Sequence, residues 1–176
     1  MEAVIAKPAA GTGWLYPGFM RRSLPPVACR VADTLIARGH HGVIVTHPDR
    51  PTAAAEAARA LGVDIGAITL ARLYLLDDDP VLLLVSGAHE VDLAHTGERL
   101  EGTLTPAPDE LVLEVTGHPV DAVAPVGHPT NIPTWVDTAL SHHRELWAAG
   151  GHPDTVFRTT FRELVRITAG LPIDVD

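Results

Sequence analysis

Two apolar runs separated by a short acidic segment dominate the middle of the chain: ITLARLYLL (68–76), DDDP (77–80) and VLLLVSG (81–87). A cluster of aspartates ending in proline is a turn signal. The two runs are therefore expected to pair as a hairpin. Neither shows the alternation of a strand with one wet face. Runs this apolar belong at the covered centre of a sheet.

The flanking sequence supplies the covers. Pro25-Pro26 opens a helical pattern in which Val27, Val31 and Leu35 recur at i, i+4 and i+8, and Gly39 can stop it. GVIVT (42–46) is a short β-branched run ended by His47-Pro48. Thr52 can cap the next helix, AAAEAARALG, which closes at Gly62. Pro108-Asp109 begins another, ELVLEVTG, which closes at Gly117. TWVD (134–137), LWAAG (146–150) and TVFRT (155–159) read as strands, and Thr160 can cap a last helix, FRELVRITAG. Strands and helices mix without regular βαβ alternation, which predicts an α+β domain with a mixed sheet.

At 176 residues and 46 % apolar, the chain has the length and core of one domain. Residues 1–24 are expected as a Pro/Gly-broken lead-in and 25–176 as the domain. No apolar run reaches the roughly 18 residues a membrane helix needs, and the start lacks a signal-peptide pattern. A cytoplasmic protein with no membrane contact is expected. Cys29 stands alone, which rules out an internal disulfide framework and favours a packing role. The net charge is −9 and Lys7 is the chain's lysine, so bulk charge does not attract nucleic acid. Any such contact needs a local patch.

The stretch TGHPVDAVAPVGHP (116–129) holds three prolines, two glycines and two histidines. Proline fixes the backbone and glycine leaves it open, so such a loop can bring N–H and C=O groups close to a small ligand. It can equally be a rigid turn. The order of features around it is informative: HPDRPTAAAEAARALGV, a strand pair ending in VSGAHEVDL, this stretch, PTWVD, then AAGGHPDTVFRTTFRELVRITAG. Over about residues 30–175 this resembles the YbaK/ProX family, free-standing relatives of the editing domain of bacterial prolyl-tRNA synthetases. The resemblance implies a mixed, barrel-like β-sheet flanked by helices. It implies hydrolysis of the ester of mischarged tRNA, such as Ala- or Cys-tRNA for proline, with no cofactor. It also implies that the loop lines the pocket for the aminoacyl end, with Pro125, Gly127 and His128 in its wall. Expected partners are aminoacylated tRNA and prolyl-tRNA synthetase; the chain is expected as a monomer or homodimer.

The chain departs from that family at two places. Members typically carry a lysine in the first central strand, and counting eight residues on from Gly62 puts that position at Leu70. Leucine cannot transfer a proton or bind a carboxylate. Arg72, two residues along the same face, can place a guanidinium in the cleft or point to solvent. The family's Gly-Gly pair is Asp121-Ala122 here. A positive φ would strain Ala122, and Asp121 can pair with Arg72, recruit a substrate amine or cap a turn. A site that works by backbone positioning and oxyanion stabilisation survives such losses.

Other residues are weighed by place. His128 is the best acid/base candidate, with Arg72 and Asp121 as further polar groups. Leu70, Ala122, His47, Ser86 and Asp137 stand where the resemblance puts the substrate, although Asp137 also reads as a structural acceptor of backbone N–H bonds. The ten histidines show no metal-binding spacing, and no metal is expected. Arg144, Arg158, Arg162 and Arg166 can form one basic surface for a tRNA acceptor stem, or a solvated face. Phe157, Phe161, Leu164 and Val165 are core candidates. Three functions remain open: a trans-acting deacylase, a disarmed binder of aminoacyl-tRNA or an amino acid, and an enzyme for a free metabolite.

Overall fold

The computed structural model describes residues 24–40, 43–46 and 53–176. The lead-in up to residue 23, His47 and Thr52, the cap expected from the sequence, lie outside the described residues, and Ala53 takes the N-cap position of the helix that follows. The described chain forms helices α1 (Pro26–Ala37), α2 (Ala54–Leu61), α3 (Leu93–Arg99), α4 (Asp109–Thr116) and α5 (Phe161–Thr168). The strands are β1 (Ile44–Thr46), β2 (Ile68–Leu76), β3 (Asp79–Ser86), β4 (Leu104–Pro106), β5 (Thr134–Asp137), β6 (Leu146–Ala149), β7 (Thr155–Thr159) and β8 (Leu171–Ile173). They make one sheet in the order β1-β7-β6-β2-β3-β5-β8, with β4 on the far end of β2. Antiparallel and parallel pairs mix, so the fold is the α+β class the sequence predicts.

The acidic turn is tighter than its sequence suggests. β3 already begins at Asp79, and only Asp77 and Asp78 form the connection, with φ of 48° and 75°. A two-residue hairpin loop needs positive φ at both positions, which aspartate tolerates better than most residues. Asp77 is held in turn by the Thr103 N–H, which donates to its Oδ1 (2.8 Å).

Alternation along β2 and β3 splits the core in two. Ala71, Leu73, Leu82 and Leu84 face Val31 and Leu35 of α1, Leu164 and Ile167 of α5, and Phe157 of β7. Tyr74, Val81, Leu83 and Val85 face the other way, under Leu104, Ile173 and Val175, with Leu100 at the end of α3 packed against them. The hairpin is thus covered on both faces, as its composition requires.

Local chemistry sets the helix ends. Pro26 stands in the first turn of α1, where its missing N–H is no loss. Thr160 caps α5 by accepting the Glu163 N–H (3.2 Å). At their far ends α1 and α5 cap each other. Arg166 donates to the carbonyls of Arg38 and Gly39, and Arg38 donates to the Ile167 carbonyl. Each guanidinium meets the negative end of the other helix. Phe157 of β7, one strand in from the edge strand β1, is fully buried. Phe157→Ala is expected to lower unfolding free energy by about 3–5 kcal/mol, read from equilibrium urea denaturation.

Candidate active site

The segment after α4 is a loop whose middle, Ala122 to Val126, is buried, and its backbone hydrogen bonds explain its composition. Gly117, with φ 71°, ends α4 in the left-handed conformation. The Thr116 hydroxyl donates to the Val112 carbonyl (2.6 Å) and accepts the His118 N–H (3.0 Å). The Ala122 N–H donates to the Pro119 carbonyl (2.9 Å) and closes a turn. Val123, Ala124 and Val126 then run through the first core. Ala124 is held at both backbone groups by imidazoles. Its N–H donates to His118 Nδ1 (3.2 Å), and its carbonyl accepts from His128 Nε2 (2.8 Å). The two rings lie 5.3 Å apart. Gly127 has φ 91°, and a Cβ there would lie 3.0 Å from Val31 Cγ2 and 3.1 Å from its Cα. Only glycine suits that position.

Outside the clamp lies a cleft of about 190 Å³. Its walls include Thr34 and Arg38 of α1, Pro125, Gly127 and His128 of the loop, and Thr168 of α5. Burial holds His128 below the ordinary histidine range, and the nearby Arg38 charge acts the same way, against the opposing pull of the Ala124 hydrogen bond. Its ring is therefore neutral at pH 7. With Nε2–H given to Ala124, Nδ1 is left as the proton acceptor. His118 is lowered to about 4, first by burial and then by the charges of His128 and Arg30. Among the described residues, no group of three or more His, Cys, Asp or Glu side chains is placed to hold a metal ion.

The family model for the aminoacyl-tRNA editing domain matches residues 47–167, a span that contains this loop and most of the sheet. The chain belongs to the aminoacyl-tRNA editing domain family. A solved structure described as a putative trans-editing enzyme for prolyl tRNA synthetase is 37 % identical, with a TM-score of 0.83, covering 88 % of this chain and 99 % of that one. A scaffold protein from computational epitope backbone grafting is 36 % identical, also at 0.83, covering 87 % and 99 %. A hypothetical protein is 27 % identical at 0.78, covering 83 % and 98 %. No curated protein matches the sequence.

Within this editing domain the expected site residues separate. Pro125, Gly127 and His128 stand together at the cleft. Leu70 and Arg72 do not join them. They are opposite Val85 and Leu83 in the hairpin, on the sheet face away from Ala124 and Val126. Arg72 is exposed there. Placing both in the cleft is corrected by strand alternation: from β2, the face toward the loop carries Thr69, Ala71 and Leu73. Thr69, opposite Ser86 and beside Ala148, is buried, and its hydroxyl has no partner among the described residues.

Asp121 is exposed at the turn, and of its three open roles the pairing with Arg72 is not formed among the described residues. Neither Asp121 nor Ala122 has positive φ, so replacing the family's glycines strains nothing. Ala122 is buried. Ser86 and Asp137 are tied into the frame. The Ser86 hydroxyl donates to the Gly66 carbonyl (3.0 Å), and its N–H donates to Asp137 Oδ2 (3.0 Å). Asp137 Oδ1 accepts the Ala139 N–H (2.9 Å), and His89 Nδ1 lies 3.2 Å from Oδ2.

The four arginines also divide. Arg158 pairs with Glu145 (2.7 Å) and Arg166 caps α1, while Arg144 and Arg162 are exposed. Sequence reasoning missed His118, Arg38 and Thr69, whose roles depend on what they face.

His118 links the loop to pH. Its folded value is below its unfolded one, so its contribution to stability is complete above about pH 6.5 and is lost as pH falls toward 4. Wild type minus His118→Asn stability, from urea titrations at stepped pH, is expected to decline through that window, by at most about 1.4 kcal/mol per pH unit. Leu70→Lys is expected to leave the His128 NMR titration unchanged, because the lysine arises on the other face of the sheet.

Proposed function

We propose that the protein is a trans-acting aminoacyl-tRNA deacylase acting on tRNA for proline mischarged with alanine or cysteine. The observation that carries this reading is the cleft itself: a fixed backbone wall from Pro125 to Ile132, a neutral imidazole at His128 and a guanidinium at Arg38. The family supports the reaction class, and the likeness to the putative trans-editing enzyme supports the tRNA. tRNA charging takes place in the cytoplasm, which is the compartment this reading assigns.

In the proposed reaction a water oxygen attacks the ester carbonyl carbon. His128 Nδ1 takes the water proton, while its Nε2–H stays on the Ala124 carbonyl and fixes the tautomer. The oxyanion collapses, the bond to the ribose oxygen breaks, and the proton passes to that oxygen. Free amino acid and tRNA leave. Arg38 holds the phosphate of the terminal nucleotide. Arg144 and Arg162, exposed and without a partner among the described residues, approach the acceptor stem, and their contribution weakens as salt rises. Prolyl-tRNA synthetase is a candidate partner, as the source of the mischarged tRNA.

The test is ester loss from Ala-tRNA and Cys-tRNA for proline, measured over background. Wild type is expected to hydrolyse at least one. His128→Ala is expected to lower kcat/KM by roughly 10²–10⁴. The wild-type rate is expected to be flat near neutrality and to fall only below about pH 6.5, as a base with a lowered pKa becomes protonated. Binding without turnover would identify a disarmed binder instead. Neither binding nor turnover, together with tight binding of a small amino-acid-like ligand, would point to a free metabolite.

A further inference from the structure

The fully buried His118 lies outside the cleft wall and has no part in the proton transfer just described. Its surroundings give it another task. Nδ1 accepts the Ala124 N–H, so in the neutral ring the proton sits on Nε2. That Nε2 is buried and has no partner among the described residues, and a Cβ built at Gly151 would lie 3.1 Å from it. Leaving a buried N–H unpaired is unfavourable. The residue is nevertheless held there by the Nδ1 contact of its ring and by its backbone N–H, which donates to the Thr116 hydroxyl. On the other side of the same residue, the Ala124 carbonyl takes the His128 proton. One imidazole fixes Ala124, and Ala124 fixes the other imidazole.

We propose that His118 is a positioning residue for the site: through Nδ1 it sets the Ala124 peptide and, through that, the orientation and tautomer of His128. This rests on the deacylase reading only where activity is measured. The physical logic is a relay of two hydrogen bonds across one residue. Ala124 precedes Pro125, which cannot donate a backbone bond of its own. Without His118, the Ala124 N–H would be buried and unpaired, and the segment from Ala124 to His128 would shift to find water. The cost of such a shift appears in the chemical step rather than in binding, because the cleft's outer walls on α1 and α5 are untouched.

Two substitutions separate the two ring nitrogens. In His118→Asn the side-chain oxygen can occupy the Nδ1 position. In His118→Gln the polar end reaches the Nε2 position instead. The readouts are hydrogen exchange of the Ala124 amide and NMR titration of the His128 ring, neither of which needs a substrate, together with kcat and KM for mischarged tRNA. We expect His118→Asn to keep Ala124 protected, keep the lowered His128 titration and retain kcat within about threefold. His118→Gln is expected to lose the protection and to move the His128 titration toward 6.5, with kcat down roughly 10–100-fold and KM little changed. The opposite ranking would mean that Nε2 is the working atom and would overturn the proposal. Equal behaviour of both variants in exchange and titration would also overturn it. If Asn does not fold while Gln does, the proposal fails in the same way; if neither folds, hydrogen exchange of wild type stepped down from pH 7 to below pH 4 replaces them, and an Ala124 amide that stays protected as His118 takes up its proton sinks the proposal. If wild type itself hydrolyses no ester while the exchange and titration results hold, the deacylase reading fails and the positioning role stands.

Discussion

The β2–β3 hairpin is apolar on both faces, and the other elements are arranged by the need to cover it. One face takes α1, α5 and the loop after α4; the other takes the end of α3, β4 and the C-terminal residues. Burying two sheet faces gives the domain two cores divided by one sheet. The stretch from Ala122 to Val126 is therefore a layer of the core rather than a surface connection. Val123, Ala124 and Val126 are all buried in it. A buried loop must satisfy its own peptide groups without water. That requirement explains why two histidines are used on one alanine.

The same burial serves the proposed chemistry. An imidazole in water is partly protonated near neutrality, whereas one packed under α1 stays neutral and holds one tautomer. One contact, His128 to Ala124, pairs a buried carbonyl and, in the proposed reaction, fixes the proton acceptor. Arg38 plays a comparable double part. It ties α1 to the end of α5 and puts positive charge at the cleft. The reciprocal caps of Arg38 and Arg166 thereby link the stability of the helical layer to the shape of the cleft.

Much of the fold was legible because its signals are local. Pro26, Thr160, Gly62 and Gly117 mark helix ends by backbone geometry that each residue carries with it. The elements that escaped are short or contain proline: α3, β4 with Pro106 and β8 with Pro172. Those strands lie at the margin of the sheet, where proline is tolerated and propensity says little. At the site, the loop and His128 were legible from Gly, Pro and His in one stretch. Leu70 and Arg72 lie away from that cleft, because the face a strand residue serves is set by alternation and register, which position along the chain does not reveal. Arg158 and Arg166 looked like a surface for nucleic acid because an arginine's sequence spacing does not say whether a carbonyl or carboxylate lies within reach.

By itself the sequence determined the central hairpin, the capped helices, the α+β class and the family, since these follow from patterns within a dozen residues or from motif order along the chain. Only the tertiary structure decided which face each strand residue serves, which nitrogen of His118 and His128 is engaged, and which arginines are already paired. Those facts depend on contacts between residues far apart in the chain. Arg38 and Ile167 meet only because α1 and α5 pack on the same face of the sheet.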